Sequence, residues 1–340
     1  MQQKQETGAG TVNTFGVRRR TALASMVGAA VALPAAAQTQ AFPNKAVRIV
    51  VPYAAGGPSD IVTRVVGQRM ATFLGQPVVI DNRAGANGLI GMEHVARQPG
   101  DGYTLVMFSL GGSVLNAVTR DKLPFDLVRD FRAVGNMAVL PQIAAASNNI
   151  PPRNLGEFVA YAKANPGKLS YGSSGIGGTP HLIGEWIKVL TGIEMTHVPY
   201  KGTGPATADL IAGHIHLLYT EVPVLIEHIR EGKIKALAIS TRHRSALLPQ
   251  VPTVEESGFP QLTGSNWFGL QVPSATPDAV VQRLNDALVK ALEHPETKAS
   301  LIAQGAEPDP APADRFDKLV RDEMARWAGV IRATKVQVTS

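Results

Sequence analysis

The chain has no cysteine in its 340 residues. Disulfides, thiolate metal sites, a cysteine nucleophile and a lipid-modified cysteine behind a leader are therefore excluded. A long apolar run is also missing. The best stretch, Ala22 to Leu33, has about a dozen residues against the roughly 18 that a membrane-spanning helix needs. No run of Lys and Arg with interleaved aromatics occurs, which argues against nucleic acid. Three fingerprints are absent as well. There is no G-x-x-x-x-G-K-[ST], no complete G-x-G-x-x-G, and no G-x-S-x-G turn around a hydrolase serine.

What is present begins with an export signal. Arg18-Arg19-Arg20 precede the apolar run, and Ala35-Ala36-Ala37 offers small residues to a peptidase. This layout predicts a signal peptide over 1–37, cleaved near Ala37, with a retained anchor as the alternative. The arginines followed by Thr21-Ala22-Leu23 leave Sec and twin-arginine export both open. Cleavage removes Lys4, Arg18, Arg19, Arg20 and Glu6, lowering the net charge from +6 to about +3. Charge that small selects no partner. The roughly 300 remaining residues exceed one comfortable core, so two lobes are expected.

Short β-branched runs alternate with helical patterns, the mark of α/β layers on a largely parallel sheet. Strands are predicted at 46–51, 77–80, 104–108 and 134–140, with helices at 61–74 and 89–97 between them. A second series follows from Leu155 to Ile239, and the chain then crosses back near 258–266. A returning strand at 267–272 and helices at 278–292, 297–304 and 313–333 complete the pattern. Lobe 1 is predicted over 42–140 plus 262–340 and lobe 2 over 141–261, with a hinge at the two crossings.

Three glycine-rich loops stand where a strand hands over to a helix: Pro52 to Asp60, Tyr171 to His181, and Tyr200 to Ala206. Glycine lets the backbone approach a ligand, and the first N–H groups of the next helix are ready anion donors. In the first loop Gly56 and Gly57 turn the chain, while Ser59 or Asp60 can cap the helix. The plain alternative is a capped turn without a ligand. The second loop holds Ser173, Ser174, Gly177, Thr179 and His181, rich in donors but without a nucleophile. The third brings Lys201 and Thr203, and Lys201 can pair with a carboxylate or stay solvated. His214 and His216 suggest metal on one strand face, yet no acidic or cysteine partner completes a set. Binding is favoured over catalysis. The rival readings are a secreted enzyme using the loops as an oxyanion or phosphate site, and an orphan binding protein serving signalling.

The residues also carry a family resemblance. Tyr53-Ala-Ala-Gly-Gly-Pro-Ser-Asp60, Val79-Ile-Asp-Asn-Arg-Ala-Gly-Ala-Asn-Gly88 and Gly100-Asp-Gly-Tyr-Thr104 resemble the Bug receptors. These are extracytoplasmic solute-binding proteins of tripartite tricarboxylate transporters. Ala164-Asn-Pro-Gly-Lys-Leu-Ser170, Gly172-Ser-Ser-Gly175, His197-Val-Pro-Tyr-Lys-Gly202 and Gly232-Lys-Ile-Lys-Ala-Leu-Ala238 extend the likeness over nearly all the mature chain.

The resemblance implies a type II-like periplasmic-binding-protein fold that closes on a small carboxylate, each lobe a mainly parallel sheet flanked by helices. It implies a periplasmic, monomeric, non-catalytic receptor of a Gram-negative bacterium, without metal or cofactor. Its partners would be the ligand and a membrane permease or a sensor. The carboxylate would be held by backbone amides and hydroxyls. The implied ligand residues are Tyr53, Ala54, Gly56, Gly57, Ser59, Asp60, Ser109, Ser173, Ser174, Gly177, Thr179, His181, Tyr200, Lys201, Gly202 and Thr203. One departure is visible. Gly213-His214-Ile215-His216 replaces the family's frequent Gly-x-Val-Asp, and Glu221 follows the strand, which leaves the ligand's identity open.

Overall fold

Strand β1 (Val47–Val51) carries the sequence VRIVV, with all but Arg48 buried. A strand so apolar belongs inside a sheet covered on both faces. Helix α1 (Pro58–Leu74) follows, with proline in its first turn and Gly75 closing it at φ 72°. Val62, Val66, Met70 and Leu74 repeat every four residues and form its buried stripe. The computed structural model describes residues 42–120, 122–245 and 247–336. The predicted leader and its cleavage site lie outside the described residues.

From β1 the chain runs through β2 (Val78–Asn82), α2 (Leu89–Ala96) and β3 (Thr104–Ser109). A π-helical turn at Leu110–Leu115 leads into α3 (Asn116–Thr119), and β4 (Phe131–Ser147) comes next. The second series is α4 (Leu155–Ala164), β5 (Leu169–Ser173), α5 (Thr179–Thr191), β6 (Met195–Pro199) and α6 (Thr203–Ala212). Then follow β7 (Leu217–Glu221), α7 (Val222–Arg230) and β8 (Ile234–Ile239). The return comprises β9 (Ser265–Pro273), α8 (Asp278–Glu293), α9 (Pro295–Ala303), β10 (Glu307–Pro308) and α10 (Ala313–Thr334). No helix among the described residues is long and apolar enough to cross a membrane.

The strands run in the order β2-β1-β3-β9-β4-β7-β5-β6, with β8 and β10 also on β4. Here the structure corrects the expectation of mainly parallel sheets. β1 is parallel to β2 and β3, and β5 to β6 and β7. Every pairing of β4 is antiparallel, and so is β3 with β9. The sheet is mixed because the crossing strands run against the strands they join.

β4 also exceeds the expected 134–140. Its first part, Phe131 to Pro141, pairs with β9, and from Gln142 onward it pairs with β7 and β8. Pro141, without an N–H, sits where the partners change. The strand passes through it and exchanges neighbours.

The consequence for function is geometric. β1, β3, β5, β6 and β7 each end in a loop or helix start, and open α/β sheets bind ligands beyond the carboxyl ends of such strands.

Candidate functional site

Four of those strand ends and the two crossing strands meet around a cavity of about 260 Å³. Tyr53, Ser59, Ser109 and Gly111 line it from the elements after β1 and β3, and Thr203 and Glu221 from those after β6 and β7. The crossing strands supply Leu140, Asn266 and Phe268. Register explains these last three. Leu140 pairs with Asn266 and Val139 with Trp267, and successive strand residues point to opposite faces. Leu140, Asn266 and Phe268 therefore face this cavity, while Val139 and Trp267 line a separate cavity of about 420 Å³ on the other face. No strand-to-helix glycine loop opens into that second cavity.

The helices that begin near the first cavity are uncapped. α1, α5 and α6 start at Gly57, Gly178 and Gly202, none with a side-chain cap. Their first-turn N–H groups lack intrahelical acceptors, and each helix start carries roughly half a positive charge. Gly202 sits at φ 107° and Gly56 at φ 84°, conformations that a side chain would strain.

Ser109 is the hub on one side. Its hydroxyl shares a 2.8 Å hydrogen bond with the Tyr53 hydroxyl and accepts from Gly112 N–H at 3.1 Å. Burial pushes the Tyr53 phenol up, with the Ser109 bond partly opposing it, so it stays a neutral donor.

Asp60 turns inward and does not line the cavity. Its carboxylate accepts from Gly56 N–H, Arg64 Nε and Asn82 Nδ2, each at 2.9 Å. Burial alone would raise this carboxyl, but those donors together hold it below its ordinary value. Asp60 shapes the first loop, and Ala54, Gly56 and Gly57 form its outer turn without lining the cavity.

The second loop is largely occupied with itself. Ser173 Oγ bonds His197 Nε2 at 2.7 Å and accepts from Gly175 N–H at 3.1 Å. Gly177 N–H donates to His181 Nδ1 at 3.0 Å, which leaves the other ring nitrogen to carry the proton. Ser174 O accepts from Gly202 N–H at 3.3 Å, joining the second loop to the third. Thr179 alone reaches the cavity rim, its Oγ1 3.8 Å from where a Cβ on Gly111 would stand.

In the third loop Tyr200 donates to Asp209 Oδ2 at 2.6 Å, and burial with that bond pushes its phenol up to about 12. Lys201 is exposed and Thr203 lines the cavity. His214 and His216 precede β7 and have separate partners, Asp209 and Ser170. Among the described residues no group of three His, Asp or Glu could hold a metal ion.

The structure thus brings Tyr53, Ser59, Ser109 and Thr203 together, with Thr179 beside them. It commits Asp60, Ser173, His181 and Tyr200 to internal bonds. Glu221, Asn266, Phe268 and Leu140 were missing from the sequence-derived site. Only Glu221 left a signal, as a carboxylate directly after a strand.

Behind the second loop, His197 stacks on His181 at 4.0 Å and on Tyr171 at 4.9 Å. Burial first, then the neighbouring His181 and Lys188, push His197 down to about 4, against the opposing pull of Glu185. Its folded value lies below the roughly 6.5 of an unfolded histidine. The fold therefore keeps this stabilisation above pH of about 6.5 and loses it as the pH falls toward 4. The melting temperature of His197→Gln is expected to fall less than wild type between pH 7 and 4. Parallel curves would show that His197 does not carry this acid sensitivity.

Helices flank a mixed sheet whose parallel strand ends gather uncapped helix starts around a largely apolar cavity studded with hydroxyls, which defines a periplasmic-binding-protein-like α/β receptor. Comparison with known proteins makes the class specific. A sequence profile described as "Tripartite tricarboxylate transporter family receptor" matches residues 62–336. Protein BugT of Bordetella pertussis is 34% identical over 307 residues, covering 90% of this chain and 94% of BugT. Among solved structures, that of the R. palustris protein Rpa4515 with adipate superposes with a TM-score of 0.75 at 33% identity, covering 87% of this chain and 99% of that one. MatC from Rhodopseudomonas palustris with bound malate gives 0.71 at 33% identity, covering 85% and 100%. The chain belongs to the tripartite tricarboxylate transporter receptor family. That identity makes it a periplasmic solute-binding receptor of a Gram-negative bacterium and a transport protein, not an enzyme.

Proposed function

We propose that this receptor captures a small carboxylate solute in the cavity between Ser109 and Thr203 and delivers it to the membrane permease of a tripartite transporter. The observation that carries this is the cavity itself: hydroxyls of Tyr53, Ser59, Ser109 and Thr203 share it with the uncapped starts of α1 and α6. Such a lining offers many donors and no obligatory cation, which suits a carboxylate. The adipate and malate held by the two R. palustris relatives are of that chemical class.

The working form is a monomer exported with cleavage near Ala37. Residues 42–140 with 262–340 act as one lobe and 141–261 as the other. The hinge lies where β4 changes partners at Pro141–Gln142 and where the chain re-enters β9 at Ser265. Closing the lobes tightens the contacts of Ser109 and Thr203 on one ligand, and only contacts better in the closed state can drive closure.

The test is a thermal-shift screen of ligand-stripped chain from Gln38 against small carboxylates and phosphates. A ligand at 100 times its dissociation constant should stabilise by roughly 2.7 kcal/mol. Ser109→Ala and Thr203→Val should each weaken binding about tenfold or more, as loss of a hydrogen bond to a charged group does. Unchanged affinity in both variants would place the site elsewhere.

A further inference from the structure

Glu221 is out of character with the rest of the cavity. It ends β7, immediately precedes α7, and lines the same 260 Å³ space as Ser109 and Thr203. Its carboxylate accepts from Thr220 Oγ1 at 2.9 Å and from Asn266 Nδ2 at 3.3 Å, both neutral donors. Asn266 reaches it from the crossing strand, so its position is built from two separate elements. No Lys, Arg or His among the described residues forms an ion pair with it. Lys201, two residues before Thr203, is exposed and does not line the cavity. The start of α7 lies beside Glu221, yet the side chain makes no capping bond there.

A carboxylate has about four acceptor positions, and two of these are used. The remainder belong to a half-buried anion in the space proposed for another anion. A ligand bearing only carboxylates would bring like charges together in a partly desolvated cavity, which disfavours binding. A ligand with a protonated amine would reverse the sign of that contact and complete the hydrogen bonding of Glu221.

Resting on the carboxylate-receptor reading of this cavity, we infer that the ligand is an amino-bearing acid whose ammonium group docks on Glu221. Its carboxylate meets the donors of Ser109, Thr203 and the helix starts. Glu221 is then the residue that sets specificity. It selects zwitterionic acids over plain dicarboxylates of the same length.

The experiment measures affinity of ligand-stripped protein for matched acids: succinate, aspartate (succinate with an added amine) and 3-aminopropanoate (one carboxylate exchanged for an ammonium). A panel of the common amino acids and of ω-amino acids widens it. Wild type should bind its best amino-bearing acid at least tenfold more tightly than the matched dicarboxylate. Glu221→Gln keeps partners for Thr220 and Asn266, so its fold, checked by circular dichroism, is retained. It should lose that preference by tenfold or more while dicarboxylate binding holds or improves. Wild type preferring the dicarboxylate, or a preference unchanged in Glu221→Gln, overturns the inference and leaves the receptor reading standing. Binding by neither class overturns both.

Discussion

Asp60→Ala is expected to destabilise the protein by roughly 2–4 kcal/mol and to weaken ligand binding more than tenfold. The carboxylate gathers Gly56 N–H, Arg64 Nε and Asn82 Nδ2 at 2.9 Å each. Asn82 also donates to Tyr53 O at 3.2 Å and accepts from Arg64 Nη2 at 2.8 Å. One side chain thus ties the start of α1 to the end of β2 and to the backbone before Gly56. Arg64 is half exposed and contributes less through its charge. The larger cost comes from Gly56 N–H losing its acceptor, and Asn82 Nδ2 one of its two, at a residue only 3% exposed. Because Tyr53 and Ser59 line the cavity from either side of this turn, its loosening should reach the ligand directly.

The pH dependence gives an independent check. Its carboxyl is held below the ordinary value, so its stabilisation is complete above the unfolded value of about 3.9. That stabilisation is lost as the pH falls through the lower folded value. The stability gap between wild type and Asp60→Ala should therefore narrow in strong acid. A constant gap down to pH of about 2 would mean that the ionised carboxylate is not what the turn depends on.

Much of this architecture was legible because the helices have strong periods and the strands are bounded by glycine or proline. The apolar spacing in α1 gave its span to within a few residues. No element was expected between 108 and 134, yet the segment 110–119 is helical. Its first turn is held by Gly112 N–H donating to Ser109. Strand direction was the larger error. Nothing in the alternation of β9 says whether it runs with or against β3, and only the route of the connection decides.

The site divides the same way. Glycine-rich strand ends advertise themselves, so Ser59 and Thr203 stand out from local pattern, while Tyr53 and Ser109 came with the family resemblance. Leu140, Asn266 and Phe268 could not, because which face they occupy depends on the register of β4 against β9. Ser173 and His181 are a different case. Their residue types fit a ligand, but the structure uses them on His197 and Gly177.

Gly269→Ala is expected to cost about 3 kcal/mol, at the upper end of what overpacking a core usually costs. Gly269 pairs with Phe108 on one side and Asn136 on the other, in the middle of the sheet. A Cβ there would stand 2.1 Å from Phe316 Cζ and within 2.6 Å of two further ring atoms. Neither side can yield cheaply. The strand is held by two neighbours, and the Phe316 ring, 1% exposed, is braced edge-on by Trp267 at 5.3 Å. Phe268, the preceding residue, lines the cavity proposed to hold the ligand, so a displaced β9 should also lower affinity. Phe316→Ala by itself should cost roughly 3–5 kcal/mol through the cavity it leaves. In the double variant the new methyl occupies part of that space, so the two losses should fall short of their sum by at least about 1 kcal/mol. Denaturant unfolding of the four proteins measures this coupling. Strict additivity would show that close approach of α10 is not the reason for glycine at position 269.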